Sequence, residues 1–317
     1  MSLTAATLET SVPQGEPEWL RDTRRSALAA YERLPAPSRT DEEWRRTDVS
    51  RLNLGEFSRL EHSYGAGLGG GEALPDGVIL KPLGVAAVEN ADLVKPRLFA
   101  LINPDRDRFT ALHAAFFTGG TFLYVPDGVV IERPILGRHG SNNGGNFVLP
   151  HTLIVAGRGA RFHYLDEYIG DPDEEAGYRS GSAEIFLGEG AEVGYVAVQK
   201  WSRKAWHFAD QRAQLQKDST LRLFDVTLGG HFSKTRVEAS LVGPGADAEL
   251  KAIYLASGDQ FYDFHTLQDH QVGNTRSDLL FKGALQDVAR TVYAGLIKIE
   301  KGAGRSDAYQ ANRNLVL

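Results

Sequence analysis

Val155-Ala156-Gly157-Arg158-Gly159-Ala160-Arg161-Phe162-His163-Tyr164 returns as Phe186-Leu187-Gly188-Glu189-Gly190-Ala191-Glu192-Val193-Gly194-Tyr195, every position displaced by 31 residues. Each copy reads as the end of one strand, a sharp corner with two glycines, and the start of a second strand. Glycine suits such a corner because it enters the left-handed region without a steric penalty. The same corner aligns at Gly128, Gly159, Gly190, Ser219, Gly245, Asn274 and Gly302, at intervals of 31, 31, 29, 26, 29 and 28 residues. Gly157, Gly188 and Gly243 stand two residues before three of these corners. One residue after them come Val129, Ala160, Ala191, Thr220, Ala246, Thr275 and Ala303, all small or β-branched. Five after them, in the middle corners, come Tyr164, Tyr195, Phe224, Leu250 and Leu279. Four before them come Tyr124, Val155, Phe186, Leu215, Leu241, His270 and Lys298. Apolar positions at matched offsets are what stacked inward ladders require. His270 and Lys298 break the last column, so the later coils are expected to be less regular. A two-strand unit of this length predicts a parallel β-helix, since hexapeptide coils repeat faster and leucine-rich repeats show a Leu-x-x-Leu-x-Leu grid.

Upstream of the repeat the pattern differs. Residues 17–34 place Leu20, Ala27, Leu28, Tyr31 and Leu34 on one helical face, and Pro35-Ala36-Pro37 ends it. Thr40 with Glu43 has the spacing of a capping box for a short helix through Trp44. Residues 65–77 are Gly-rich and read as a flexible link. Gly65, Gly67 and Gly70 match a dinucleotide fingerprint, but Pro75-Asp76-Gly77 follows where that motif needs a helix. Two apolar runs within 78–88 read as short strands, and 107–118 as a helix bearing Phe109, Leu112, His113 and Phe116, with His113 a packing residue. The expected organisation is a helical region over 1–64, the link over 65–77, a small α/β segment over 78–119 and the β-helix over 120–317.

The chain has 317 residues, 42% hydrophobic and 24% charged, with net charge -6. A nucleic-acid reader carries a basic excess, so no nucleic-acid partner is expected. No apolar run approaches the ~20 residues that cross a bilayer, and Met1–Gly15 lacks the features of a secretory signal, so the expected location is the cytoplasm, away from membranes. Cysteine is absent, which removes thiolate ligands and thiol nucleophiles from this chain. Phosphate-loop, zinc-protease and serine-hydrolase motifs are absent too. Asp263, His265, Asp269 and His270 form the densest polar group. His265 and His270 are its candidate metal ligands. The plainer reading, an outward polar face plus one buried, hydrogen-bonded His270, is preferred, because alternation puts His270 on the opposite face. His163, Asp166 and Glu167 form a second group, but Asp166 and Glu167 point to opposite faces and do not make an acid–base pair. Trp201, Trp206 and His207 read as loop packing rather than a sugar platform. A carbohydrate-active β-helix enzyme, the alternative function, needs a carboxylate cluster that is not evident.

The segment Asp41-Glu42-Glu43-Trp44-Arg45-Arg46-Thr47-Asp48, after Leu34 to Pro37, resembles the N-terminal signature of the SufB/SufD family, SufD branch. Asp107 to Leu112, Phe122 to Pro126, Phe281 to Leu285, Ala289 to Gly295 and Asp307 to Leu317 are similar to its further blocks. The lack of cysteine favours the SufD branch. The resemblance implies a right-handed parallel β-helix and a non-catalytic scaffold in iron–sulfur cluster assembly. It implies partnership with a SufB-like subunit and a SufC-like ATPase, and a nascent iron–sulfur cluster in the complex, with no cofactor on this chain alone. It also implies a helical C-terminal domain after the last block. Its absence here reads as truncation, and the metal-linked residues of that domain have no counterpart in this chain. The apolar end, Asn314, Leu315, Val316 and Leu317, is expected to bind a partner or, without one, a second copy.

Overall fold

The computed structural model describes residues 3–57, 59–61, 65–69, 73–141, 146–171 and 176–317. Its N-terminal part holds α1 (Ala5–Ser11), α2 (Glu18–Arg33), β1 (Arg59–Leu60), β2 (Gly65–Leu68), β3 (Ile79–Pro82), α3 (Leu83–Glu89), α4 (Ala91–Val94) and α5 (Arg108–Phe116). The solenoid begins with β4 (Thr121–Val125), β5 (Ile135–Ser141), β6 (Asn146–Val148), β7 (His151–Ala156), β8 (Arg161–Gly170) and β9 (Tyr178–Leu187). It continues through β10 (Glu192–Lys200), β11 (Trp206–Leu215), β12 (Thr220–Thr227), β13 (Phe232–Leu241) and β14 (Asp247–Ala256). It ends with β15 (Phe261–His270), β16 (Arg276–Leu285), β17 (Arg290–Ile299) and β18 (Asp307–Val316).

Successive strands alternate between two sheets. The first runs β17-β15-β13-β11-β9-β7-β4-β3, with β1 and β6 to the side, and the second runs β18-β16-β14-β12-β10-β8-β5-β2. Pairing is parallel except where β3 meets β4 and β2 meets β5. The expected parallel β-solenoid is therefore present, with a small helical region before it.

The corner glycines have two separate jobs. Gly159, Gly190 and Gly245 adopt φ of 62, 67 and 79°. Gly157, Gly188 and Gly243 instead lie against the preceding corner, where an added Cβ would come within 2.6, 2.9 and 2.0 Å of backbone atoms. Backbone hydrogen bonds link the corners into a row. Gly128 N donates to Arg158 O, Gly159 N to Glu189 O, Gly190 N to Lys217 O, Asp218 N to Pro244 O, Gly245 N to Asn274 O, and Asn274 N to Gly304 O.

Two corners sit elsewhere than the sequence alignment puts them. The left-handed residue of the fourth is Asp218 (φ 54°), not Ser219. In the last, register aligns Arg305 (φ 59°) with the row, three residues beyond Gly302. The last shift follows from a longer corner, Glu300–Ser306 against Gly157–Ala160, whereas Gln216–Ser219 has the usual four residues and its small residue, Ser219, stands one place after the left-handed one. The columns shift accordingly. Tyr164, Tyr195, Leu223, Leu250 and Leu279 stack in register and are buried, so Leu223 replaces Phe224. On the first sheet the inward column is Val125, Ala156, Leu187, Leu215, Leu241, His270 and Ile299. Tyr124, Val155 and Phe186 face outward beneath the N-terminal region, and Lys298 pairs with Glu300. Each fully buried aliphatic rung contributes about 1.5–3 kcal/mol.

The N-terminal part departs further from expectation. Gly65–Leu68 is a strand antiparallel to β5 rather than a flexible link, because its backbone completes the edge of the second sheet. Gly65 and Gly67 lie in that strand, and Gly70 falls outside the described residues. Of the two apolar runs in 78–88, the first is β3, and the second is the helix α3, whose Leu83, Ala86 and Ala87 are buried at helical spacing. The Thr40–Glu43 capping box does not form. A 3-10 turn spans Glu42–Trp44, with Asp41 preceding it, and the Glu43 carboxylate turns to Arg236 instead. The helices expected near 17–34 and 107–118 are α2 and α5. Asp107 caps α5, its Oδ1 accepting from Phe109 N at 2.8 Å and Thr110 N at 3.0 Å. Arg24 of α2 closes the other end of α5, donating to Ala115 O and Phe117 O. These helices cover the outer face of the first sheet. On the second sheet's outer face Ile253 and Leu255 are exposed.

Candidate functional site

Alternation along β9, β11, β13 and β15 sends Ser180, Ser182 and Glu184, Asp210 and Arg212, Lys234, Arg236 and Glu238, and Asp263 and His265 to the outer face of the first sheet. The segment 43–47 and the start of α5 close over that face. A charged layer is thereby buried. Arg236 sits at its centre, bonded to Glu43 and to Asp107, 3.8 Å from Asp210 and only 5% exposed. Arg212 holds Asp210 at 2.8 Å and Glu238 at 3.0 Å. Lys234 is bonded to Asp263 at 2.5 Å and lies 4.6 Å from the centre of the Trp44 ring. Thr47 Oγ1 donates to the same Asp263 oxygen, and His265 Nε2 lies 3.0 Å from the other, off the line a hydrogen bond needs.

Electrostatics follows from burial. Desolvation alone would raise the Asp263 carboxyl, but His265 and Lys234 outweigh it and keep the group below its usual range. Burial lowers the Lys234 ammonium against the pull of Asp263. Burial pushes Asp210 up to about 8 despite Arg236, so this carboxyl holds a proton over much of the neutral range.

Beside the layer runs a hydrogen-bonded row under α5. His113 Nδ1 lies 3.0 Å from Ser180 Oγ, His113 Nε2 3.2 Å from His151 Nδ1, and His151 Nε2 3.0 Å from Glu184. Glu184 in turn accepts from the backbone N–H groups of Phe99, Leu101 and Ile102. A cavity of about 20 Å³, room for one water, lies among His113, Ser180, Ser182, Asp210 and Arg236.

Buried imidazoles set an acid limit. Burial, then the Arg179 charge, pushes His207 down to about 3, and burial with the His151 charge holds His113 well below the imidazole range. Both are neutral in the fold, whereas an unfolded imidazole takes a proton near 6.5. The unfolded state therefore binds more protons below that value, and stability falls as pH drops from about 6.5 toward 3. The expected result is a urea midpoint that declines over this window and declines less in His207→Gln. An equal decline in both proteins would exclude His207 as a source.

The sequence candidates separate. Asp263 and His265 enter the charged layer, which is buried under the N-terminal segment rather than forming an outward polar face. His270 points inward, its ring nitrogens 2.7 Å from Thr275 Oγ1 and 2.9 Å from Ser277 Oγ. The two candidate metal ligands thus lie on opposite faces of β15. Asp269 accepts from Gln271. Among the described residues no three His, Asp or Glu side chains gather as metal ligands, and the chain has no cysteine. Asp166 is buried inside the solenoid while Glu167 faces outward to Arg138. Trp201 packs in the core, but Trp206 and His207 begin β11 rather than a loop. Leu315, Val316 and Leu317 are 58, 74 and 73% exposed, and Asn314 accepts from Tyr254. Arg236 is not singled out by sequence, and Glu43 and Asp107 are read there for a capping box and for family resemblance rather than as members of a charged site. The signal for Arg236 is the run of charged residues at alternate positions of β11 and β13, Asp210 and Arg212 beside Lys234, Arg236 and Glu238.

Residues 139–317 match the family described as "SUF system FeS cluster assembly, SufBD core domain". The chain belongs to the SufBD family. Residues 60–136 of this SufBD chain match "SufBD protein N-terminal region". An iron–sulfur cluster assembly SufBD family protein of Staphylococcus aureus (strain MRSA252) is 26% identical over 340 aligned residues, covering 93% of this chain and 71% of the relative. One from Staphylococcus haemolyticus (strain JCSC1435) is 25% identical over 339, with the same coverage. The SufBD core match spans the regular coils and the charged strands of the first sheet, and the N-terminal match spans α5 and its capping Asp107. No helix among the described residues is long and apolar enough to cross a membrane.

Proposed function

We propose that this chain is a SufD-branch scaffold subunit of a cytoplasmic iron–sulfur cluster assembly complex, acting with a SufB-like subunit and a SufC-like ATPase. The observation that carries the reading is the family match over residues 60–136 and 139–317 combined with a sequence that has no cysteine. A cluster is cargo here, and thiolates are its usual ligands. A thiol-free subunit positions partners that supply them and performs no bond chemistry of its own. The rigid stack of coils and the buried charged layer suit that role, since they fix the N-terminal region against the solenoid. Asn314, Leu315 and Val316, at the end of the edge strand β18, and Leu317 just after it form part of the contact with the SufB-like subunit.

Co-expression of the chain with the SufB-like and SufC-like proteins of its own cell, followed by size-exclusion chromatography, tests the reading. The expected result is a three-component peak that Leu315→Lys with Leu317→Lys weakens. Elution of the chain apart from both proteins would overturn it.

A further inference from the structure

Four rungs of the first sheet carry a second feature that the charged layer does not use. Trp206, Phe232, Phe261 and Arg290 stand in register on β11, β13, β15 and β17. The Trp206 and Phe232 rings are 5.0 Å apart, and Phe232 and Phe261 stack at 5.6 Å and 16°. This ladder floors a groove of about 490 Å³ whose N-terminal lining includes Arg39, Arg46, Asp48 and Arg51. Arg39 pairs with Asp48 at 2.8 Å, and His231 lies 3.8 Å from Asp259. Arg46, Arg51 and Arg290 are exposed and make no ion pair among the described residues. Val288, 71% exposed, borders the groove. The chain as a whole is acidic, at -6, so this concentration of unpaired guanidinium is local.

We propose that this groove docks an extended acidic segment of a partner protein, its carboxylates on Arg46, Arg51 and Arg290 and an aromatic or aliphatic side chain over the ladder. Three strand spacings give the floor a length of about 14 Å, which suits four or five extended residues. A phosphate site gathers donors, commonly backbone N–H groups, around one point. Here the free donors are side-chain guanidinium groups beside an aromatic floor, not a nest of backbone N–H groups. Guanidinium pairs with carboxylate in a planar, two-bonded geometry, and aromatic surface beside it adds desolvated contact. The site does not depend on the subunit role proposed above, since its lining residues all belong to this chain.

Fluorescence anisotropy of the full chain with a labelled peptide of glutamates around one central phenylalanine tests it, with the glutamine counterpart as control. The expected result is saturable binding of the glutamate peptide alone, weakening with salt. Joint replacement Arg46→Glu, Arg51→Glu and Arg290→Glu should cut affinity at least about tenfold, and Trp206→Ser should reduce it with the charges intact. Arg290→Gln, a milder change at an exposed site, guards against misfolding of the triple variant. Equal binding of the glutamine peptide, or unchanged binding by the triple variant, would overturn the proposal. Tripolyphosphate binding in preference to the peptide and displacing it would reassign the groove to phosphate ligands.

Discussion

Arg236→Met should lower the unfolding free energy by about 3–5 kcal/mol, the range for stranding buried charge. The guanidinium is the shared counter-charge of Glu43 and Asp107 and lies 3.8 Å from Asp210. Methionine keeps much of the volume but leaves Glu43 and Asp107 with their main partner gone. Burial opposes the Arg236 charge, but the neighbouring acids, Asp107 and Glu43 foremost, outweigh it and the net shift is upward, so the fold favours the charged form. Loss should be greatest where the N-terminal segment meets the sheet, since Glu43 and Asp107 belong to the covering elements and Arg236 to β13. Hydrogen exchange should show the amides of 41–49 and of the first turn of α5 losing protection before those of β13. Arg236→Lys should recover only part of the stability, because an ammonium cannot bridge Glu43 and Asp107 in the fork geometry of arginine. An unfolding free energy from urea titration within about 0.5 kcal/mol of the parent, the scatter of ordinary surface changes, would show that the layer is not held by this residue.

The same residues explain what could be read in advance. A corner that needs left-handed backbone or close approach leaves glycine in the sequence, so Gly157–Gly159, Gly188–Gly190 and Gly243–Gly245 disclosed the coil. Asp218 and Arg305 adopt the same backbone without glycine, and alignment on small residues slid to Ser219 and Gly302. His270 looked like a break in an apolar column, yet it occupies that column with both ring nitrogens satisfied within its own coil. The charged layer was harder to see, because its partners are far apart in the chain. Thr47 meets Asp263 across 216 residues, and Arg236 meets Asp107 across 129. Alternation told which face of β13 Lys234 and Arg236 share, but nothing local told that this face is covered.

Asp166→Leu should have an effect of comparable size from inside the solenoid. Its carboxylate, fully buried, is 2.8 Å from His139 Nε2 and accepts from Thr152 at 2.8 Å and from Tyr168 and Tyr195 at 2.9 Å each. These donors come from β5, β7, β8 and β10, so one acceptor ties together both sheets and three coils. Burial opposes ionisation, but the His139 charge and these hydrogen bonds prevail and keep the carboxyl below its ordinary range. Leucine would strand four buried donors, at about 1–3 kcal/mol for each group that finds no other acceptor. Partial rearrangement brings the expected loss to about 3–5 kcal/mol. An asparagine side chain has one acceptor oxygen and cannot accept at both positions, so Asp166→Asn should fall between parent and leucine variant. The pH dependence separates this from a packing defect. A carboxyl whose folded pKa is depressed contributes stability above its unfolded value, near 3.8, and loses it as pH falls through the lower folded value. The difference between parent and Asp166→Asn should therefore be full at neutral pH and shrink below about pH 4. A difference that stays constant down to acid-induced unfolding would assign the loss to shape rather than to the buried charge.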